Sequence, residues 1–166
     1  MHNLLSGYCH IFAKKRILEI RKAKLEDLTS VRDLVIELAV YEKEPDAVEA
    51  TLEDYISAFE DDLLKILIAT NKNGECIGMC LGYITFSTWK GKMLYLEDFV
   101  VKENYRGAGV GLLLFEAYKC WATELECNLM KWQVLDWNEP AINFYKKQGA
   151  LIETNWWSVR LFLNEL

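Results

Sequence analysis

Histidine is almost missing from this 166-residue chain, with only His2 and His10 present. A Ser-His-Asp or Cys-His nucleophile is therefore poorly supported, and acid–base work falls to carboxylates, tyrosine or backbone dipoles. No Cys-x-x-Cys pair occurs among the cysteines at 9, 76, 80, 120 and 127, and their count is odd, so a zinc site has little support and no metal is expected. Cys76 and Cys80 share the parity of one apolar strand, and Cys120 and Cys127 lie on an apolar helix. All four read as small buried hydrophobes in a reducing cytoplasm. No apolar run approaches the ~18 residues that span a bilayer, so no membrane role is expected. Basic residues are in the minority, 19 Lys and Arg against 25 Asp and Glu, for a net charge of −6. This balance argues against nucleic acid as a partner and favours attraction of a cationic small molecule.

What is present is a globular composition, 52% hydrophobic and 27% charged. The length suits one domain able to bury roughly 70% of its unfolded-chain surface. Residues 1–16 place an apolar stretch before Lys14-Lys15-Arg16, the reverse of a secretory signal, and read as an extension of unknown role before a single domain over 17–166. Ile17 to Arg21 predicts a strand. Apolar residues at 28, 31, 34, 35 and 38 predict a helix from Glu26 to about Glu42, stopped by Pro45. Thr51 opens a second helix. Strands follow over Leu64–Thr70, from the Asn71-Lys72-Asn73-Gly74 turn to about Phe86, and over Leu94–Val101. A helix follows with Val110, Leu113, Leu114, Ala117, Trp121 and Leu125 on one face, then a strand over Leu129–Leu135. Pro140 to Lys147 is a helix stopped by Gly149, and 151–164 reads as two last strands. The order is α/β, with a mixed sheet and helices on both faces. The six tryptophans are expected mostly in the core, with Trp89 in a turn that could wall an acceptor channel.

Gly107, Gly109 and Gly111 stand at alternate positions between an apolar strand and a helix. Without Cβ atoms, the backbone N–H groups can close on an anion at the positive end of the helix, which suits a pyrophosphate. A Walker loop is excluded because no Gly-Lys-Ser/Thr occurs, and the Rossmann spacing is not met.

The stretch Arg106-Gly-Ala-Gly-Val-Gly111 after an apolar strand resembles the acetyl-CoA loop of the GNAT N-acetyltransferases. Within that family, Glu37-Leu-Ala-Val-Tyr-Glu42, Ser87-Thr-Trp-Lys-Gly91, Tyr95-Leu-Glu-Asp98, Leu135-Asp-Trp-Asn138 and Asn143-Phe-Tyr145 resemble the diamine (spermidine/spermine) and thialysine acetyltransferases. The resemblance covers most of residues 17–163.

It implies a sheet whose fourth and fifth strands, here Leu94–Val101 and Leu129–Leu135, splay apart to admit acetyl-CoA as co-substrate. Pantetheine would add to the backbone of Phe99, Val100 and Val101. Pyrophosphate would meet the N–H groups of Gly107, Ala108, Gly109, Val110, Gly111 and Leu112, with Arg106 adding charge. Asn138 and Ala141 match further CoA-contacting positions. Glu97 is implied as the base on the acceptor side, with Asp98 on the opposite face of the strand. Val100 is the expected backbone donor to the oxyanion, and Tyr145 the acid for the departing thiolate. Tyr41, Glu42, Trp89 and Glu97 would line the acceptor pocket.

The activity implied is transfer of acetyl from acetyl-CoA to a primary amine of a small molecule (a diamine, a polyamine or a lysine-like amino acid such as thialysine) by direct attack. Ser87 and Trp157 stand where polyamine enzymes carry carboxylates, which tilts the acceptor toward a short diamine or a lysine-like amino acid in preference to spermine. A homodimer is implied. An acyl-CoA-binding sensor without turnover and a protein N-acetyltransferase are the competing readings.

Overall fold

A computed structural model of the chain describes residues 18–163. The expectations for residues 1–17, including His2, His10, Cys9 and Ile17, lie outside the described residues. Two compact units are distinguished, one through Trp132 and one from Gln133.

The first unit is built on one sheet in the order β1-β2-β3-β4-β5: β1 (Glu19–Lys22), β2 (Lys65–Thr70), β3 (Cys76–Ser87), β4 (Gly91–Val101) and β5 (Leu129–Lys131). The first four strands are mutually antiparallel, and β5 joins β4 in parallel. The hairpin signal at 71–74 is realised, with Asn71 Oδ1 accepting from the N–H groups of Asn73 and Glu75.

Helices cover both faces, as alternation along the buried strands requires. On one face, α1 (Leu28–Tyr41) buries Leu28, Val31 and Leu34 against Ile66, Ile68, Met79, Leu81 and Val100. There α2 (Leu52–Glu60) adds Leu52, Tyr55, Ile56 and Phe59. Thr51 caps α2 reciprocally with Asp54. On the other face, α3 (Val110–Glu124) lies under Phe99, whose ring centroid is 5.7 Å from that of Phe115. The Tyr118 hydroxyl of α3 donates to Lys65 O at 2.8 Å.

The splay at β4 and β5 is explicit. Pairing is confined to Met93, Leu94 and Tyr95 against Leu129, Met130 and Lys131, and β4 then continues to Val101 without β5 beside it. The fifth strand is thus shorter than the predicted Leu129–Leu135, since β4 and β5 have diverged by Lys131.

In the second unit, α4 (Glu139–Lys147) starts at Asn138, whose Oδ1 accepts from Ala141 N, and Pro140 sits in its first turn. Gly149, at φ 78°, follows its end as expected. The two strands expected within 151–164 do not form among the described residues. Their alternating apolar side chains point to solvent, and no neighbouring strand supplies a ladder. No tryptophan is fully buried, contrary to the expected core placement: Trp121 lies beneath the Lys22 ammonium and Trp132 packs edge-on to Phe115, both half-covered. Cys76 and Cys80 are buried as expected, but Cys120 is exposed on the outer side of α3 and Cys127 lies past its end, partly covered.

Candidate active site

The β3–β4 ladder carries an irregularity that alternation alone does not foresee. Leu81 pairs with Asp98, yet the next residue, Gly82, pairs with Leu96, so Glu97 is an extra residue in a β-bulge. Gly82 is required there: a Cβ at this position would collide with Tyr95 O and lie 2.6 Å from the Tyr118 hydroxyl. A glycine inside an apolar strand was the available signal for the bulge.

The bulge overturns the expectation that Glu97 and Asp98 face opposite ways. Asp98 stands opposite Leu81, a member of the α1-side core. Glu97 Oε2 accepts from the Tyr83 hydroxyl at 3.0 Å, and Tyr83, two residues beyond Leu81, shares its face. Both carboxyl groups therefore lie toward α1 and α2. Burial, then the charges of Glu97 and Glu42, push Asp98 up to about 7. Burial also raises the carboxyl of Glu42, at the C-terminal end of α1. Tyr55 of α2 is raised by burial and by Asp98 and Glu97, with Arg32 opposing. Glu42, Tyr55, Tyr83, Glu97 and Asp98 thus form one acidic, partly desolvated cluster. Tyr55 and Tyr83 were not foreseen.

Register also decides which way the backbone groups of β4 turn. Lys102 N donates to Ile77 O at 2.9 Å, so the alternation of an antiparallel ladder makes Met79 and Val100 a bonded pair. The Val100 N–H is consequently turned to β3, which corrects its expected role as oxyanion donor. Phe99 and Val101 turn their N–H and C=O groups away from β3. Consistent with this, Val101 O accepts from Arg106 Nε at 2.8 Å.

After a short turn over Glu103–Tyr105, the chain enters the glycine loop. Gly107 and Gly109 adopt φ 71° and 85°, which L side chains rarely reach, and the space where their Cβ atoms would lie is open. Gly109 is the N-cap of α3 and supplies no capping side chain; Leu113 N, bonding to Gly109 O, is the first amide to turn back. The N–H groups of Val110, Gly111 and Leu112 thus have no intrahelical acceptor. Gly111 has a second duty, since a Cβ there would meet Phe99 at 3.4 Å and Val101 at 3.6 Å. This open cradle at a helix start fits a pyrophosphate.

The remaining expected residues divide. Tyr41 adjoins Glu42, and its ring lies under the Arg106 guanidinium. Trp89, 81% exposed, sits at the hairpin tip, just before β4 begins at Gly91. Glu97 lies roughly 20 Å further along that strand, so Trp89 is not brought to the cluster. Ser87 accepts from the N–H groups of Trp89 and Lys90 and so closes that turn. In the second unit Tyr145 is buried with its ring 5.6 Å from that of Phe144, Asn138 is the α4 cap, and Trp157 is 93% exposed.

A family model described as the acetyltransferase (GNAT) family matches residues 28–150. The chain belongs to the GNAT family. As a GNAT acetyltransferase, it is 36% identical over 158 residues to the thialysine N-epsilon-acetyltransferase of Bos taurus, across 88% of this chain and 92% of that protein. It is 33% identical over 159 residues to the human spermidine/spermine N(1)-acetyltransferase-like protein 1, across 89% of this chain but only 23% of the human protein. The crystal structure of an aminoglycoside acetyltransferase from an uncultured soil metagenomic sample shares the fold, with a TM-score of 0.75 at 18% identity, over 88% of this chain and 96% of that one.

Proposed function

We propose that this GNAT enzyme transfers the acetyl group of acetyl-CoA to the primary amine of a small cationic molecule, a short diamine or a lysine-like amino acid such as thialysine, within a single domain over 17–166. The observation that carries this reading is the position of Glu97: it bulges from β4 beside an open strand edge, and that strand leads to the uncapped start of α3.

In this reading the N–H groups from Gly107 to Leu112 hold the pyrophosphate of the co-substrate, and Phe99 and Val101 offer the open edge of β4 to pantetheine. Asn138 and Ala141 belong to the same CoA-contacting set by family resemblance. Acetyl-CoA supplies the thioester. Glu42 and Asp98 draw in the cationic acceptor beside Tyr41, and Glu97 takes a proton from its ammonium, directly or through water. As the amine nitrogen bonds to the thioester carbonyl carbon, the Phe99 N–H steadies the charge on its oxygen. The carbon–sulfur bond then breaks, and Tyr145, given this place by family resemblance, passes its phenolic proton to the thiolate. The attacking nitrogen, which still carries two protons, gives one through water to the Tyr145 phenolate and becomes the neutral amide, and the proton on Glu97 returns to solvent. No metal takes part in this scheme.

A homodimer is part of the same reading. Leu151, Trp157, Val159 and Leu161 expose an apolar segment of the kind a second copy covers.

Glu97→Gln tests the assignment. Transfer at saturating acetyl-CoA should slow about 100-fold, the worth of a positioned base, with acetyl-CoA affinity retained. An unchanged rate would overturn it.

A further inference from the structure

Glu97 presents a problem of order. It is the unpaired member of the bulge, its side chain is exposed, and a glutamate has three side-chain torsions to fix. A base that swings among rotamers spends little time where a proton must be taken. The neighbouring strand supplies a tether: the Tyr83 hydroxyl reaches Glu97 Oε2 at 3.0 Å. The Tyr83 ring is itself held, stacked on Tyr95 with centroids 5.4 Å apart and planes 21° apart.

We propose that Tyr83 is a positioning residue for the acetyl transfer, its hydroxyl holding one oxygen of Glu97 so that the other is presented to the acceptor. The inference rests on the reading of Glu97 as the base. It assigns Tyr83 no proton transfer. Burial, the Glu97 charge and the hydrogen bond push the Tyr83 phenol up to about 12, so it stays a donor throughout the neutral range. The other groups facing this pair are Asp98 and Tyr95 on β4, Tyr55 on α2 and Glu42 at the end of α1. Arg32 faces Tyr55 from α1, and of all these groups it is the Tyr83 hydroxyl that donates to Glu97. Occupying Oε2 leaves Oε1 as the free acceptor of a proton.

Tyr83→Phe is the direct test, because it keeps the ring and its stacking and removes only the hydroxyl. Expected is a fall in kcat of about tenfold, the worth of one hydrogen bond to a charged group, with KM for acetyl-CoA unchanged. The same substitution is then made in a Glu97→Gln background, where the carboxylate it positions no longer exists. The double variant should be no slower than Glu97→Gln alone. If Glu97→Gln slows transfer but Tyr83→Phe matches the parent, or if the two losses multiply, Tyr83 does not act through Glu97 and the inference fails while the base survives. A rise in KM for acetyl-CoA that accounts for the whole loss would also overturn it, marking a general structural role. If Glu97→Gln itself leaves the rate unchanged, the base assignment fails first.

Discussion

The guanidinium of Arg106 lies over the ring of Tyr41, 5.0 Å from its centroid, while its Nε donates to Val101 O at 2.8 Å. One side chain thus joins three parts of the site: the glycine loop, the open end of β4 and the C-terminal end of α1. Arginine suits this because its planar fork can stack and donate together. These contacts brace the loop, a role beyond the charge expected for the pyrophosphate.

A substitution series separates these roles. Arg106→Lys keeps the charge but loses the stacked fork, and Arg106→Met loses both. If Arg106 fixes the loop, both variants should raise KM for acetyl-CoA by a similar factor, on the order of five- to tenfold. Steady-state kinetics with acetyl-CoA varied gives the answer. A lysine variant that behaves like the parent would return Arg106 to the role of a simple charge.

Asp98 yields a pH-dependent prediction. Its carboxyl is raised from the ordinary 3.8 to about 7 by burial and by Glu97 and Glu42. Between those two values the folded protein keeps a proton that the unfolded chain has lost, so this group's contribution to stability declines as pH rises through that window. Asp98→Asn removes the penalty. The variant should gain stability over the parent above about pH 7, by up to about 4 kcal/mol, and the gain should vanish toward about pH 4. Denaturant unfolding at both ends of the range checks it. A difference independent of pH would show that Asp98 does not titrate in this window.

The legible parts of this protein were those set by local rules. Glycines at 107 and 109 and an apolar helix face from Val110 foretell the loop and α3, because only glycine takes those left-handed angles freely and 3.6-residue spacing marks one face. The hidden parts depended on pairing between strands. Glu97 and Asp98 share a face because Gly82 and Leu96 meet one residue early, and Val100 N–H is committed because the ladder bonds it to Met79. Neither follows from the β4 sequence alone. Residues 151–163 carry strand-like alternation without a partner in the described chain, so a pattern that needs a neighbour remains unformed.

Choice of acceptor follows from where the carboxylates stand. In the proposed scheme Glu42, Glu97 and Asp98 are the acidic face for one ammonium, whereas Ser87 is occupied in closing the β3–β4 turn and has no carboxylate for a distant second one. The decisive measurement is kcat/KM for thialysine, lysine, putrescine and spermine at saturating acetyl-CoA, since that ratio reports discrimination between substrates. Acetyl transfer to these amines is expected, with thialysine, lysine or putrescine ahead of spermine. Spermine ahead by about tenfold, some 1.4 kcal/mol of transition-state preference, would contradict the acceptor reading, and CoA release from none of them would contradict the proposed function itself.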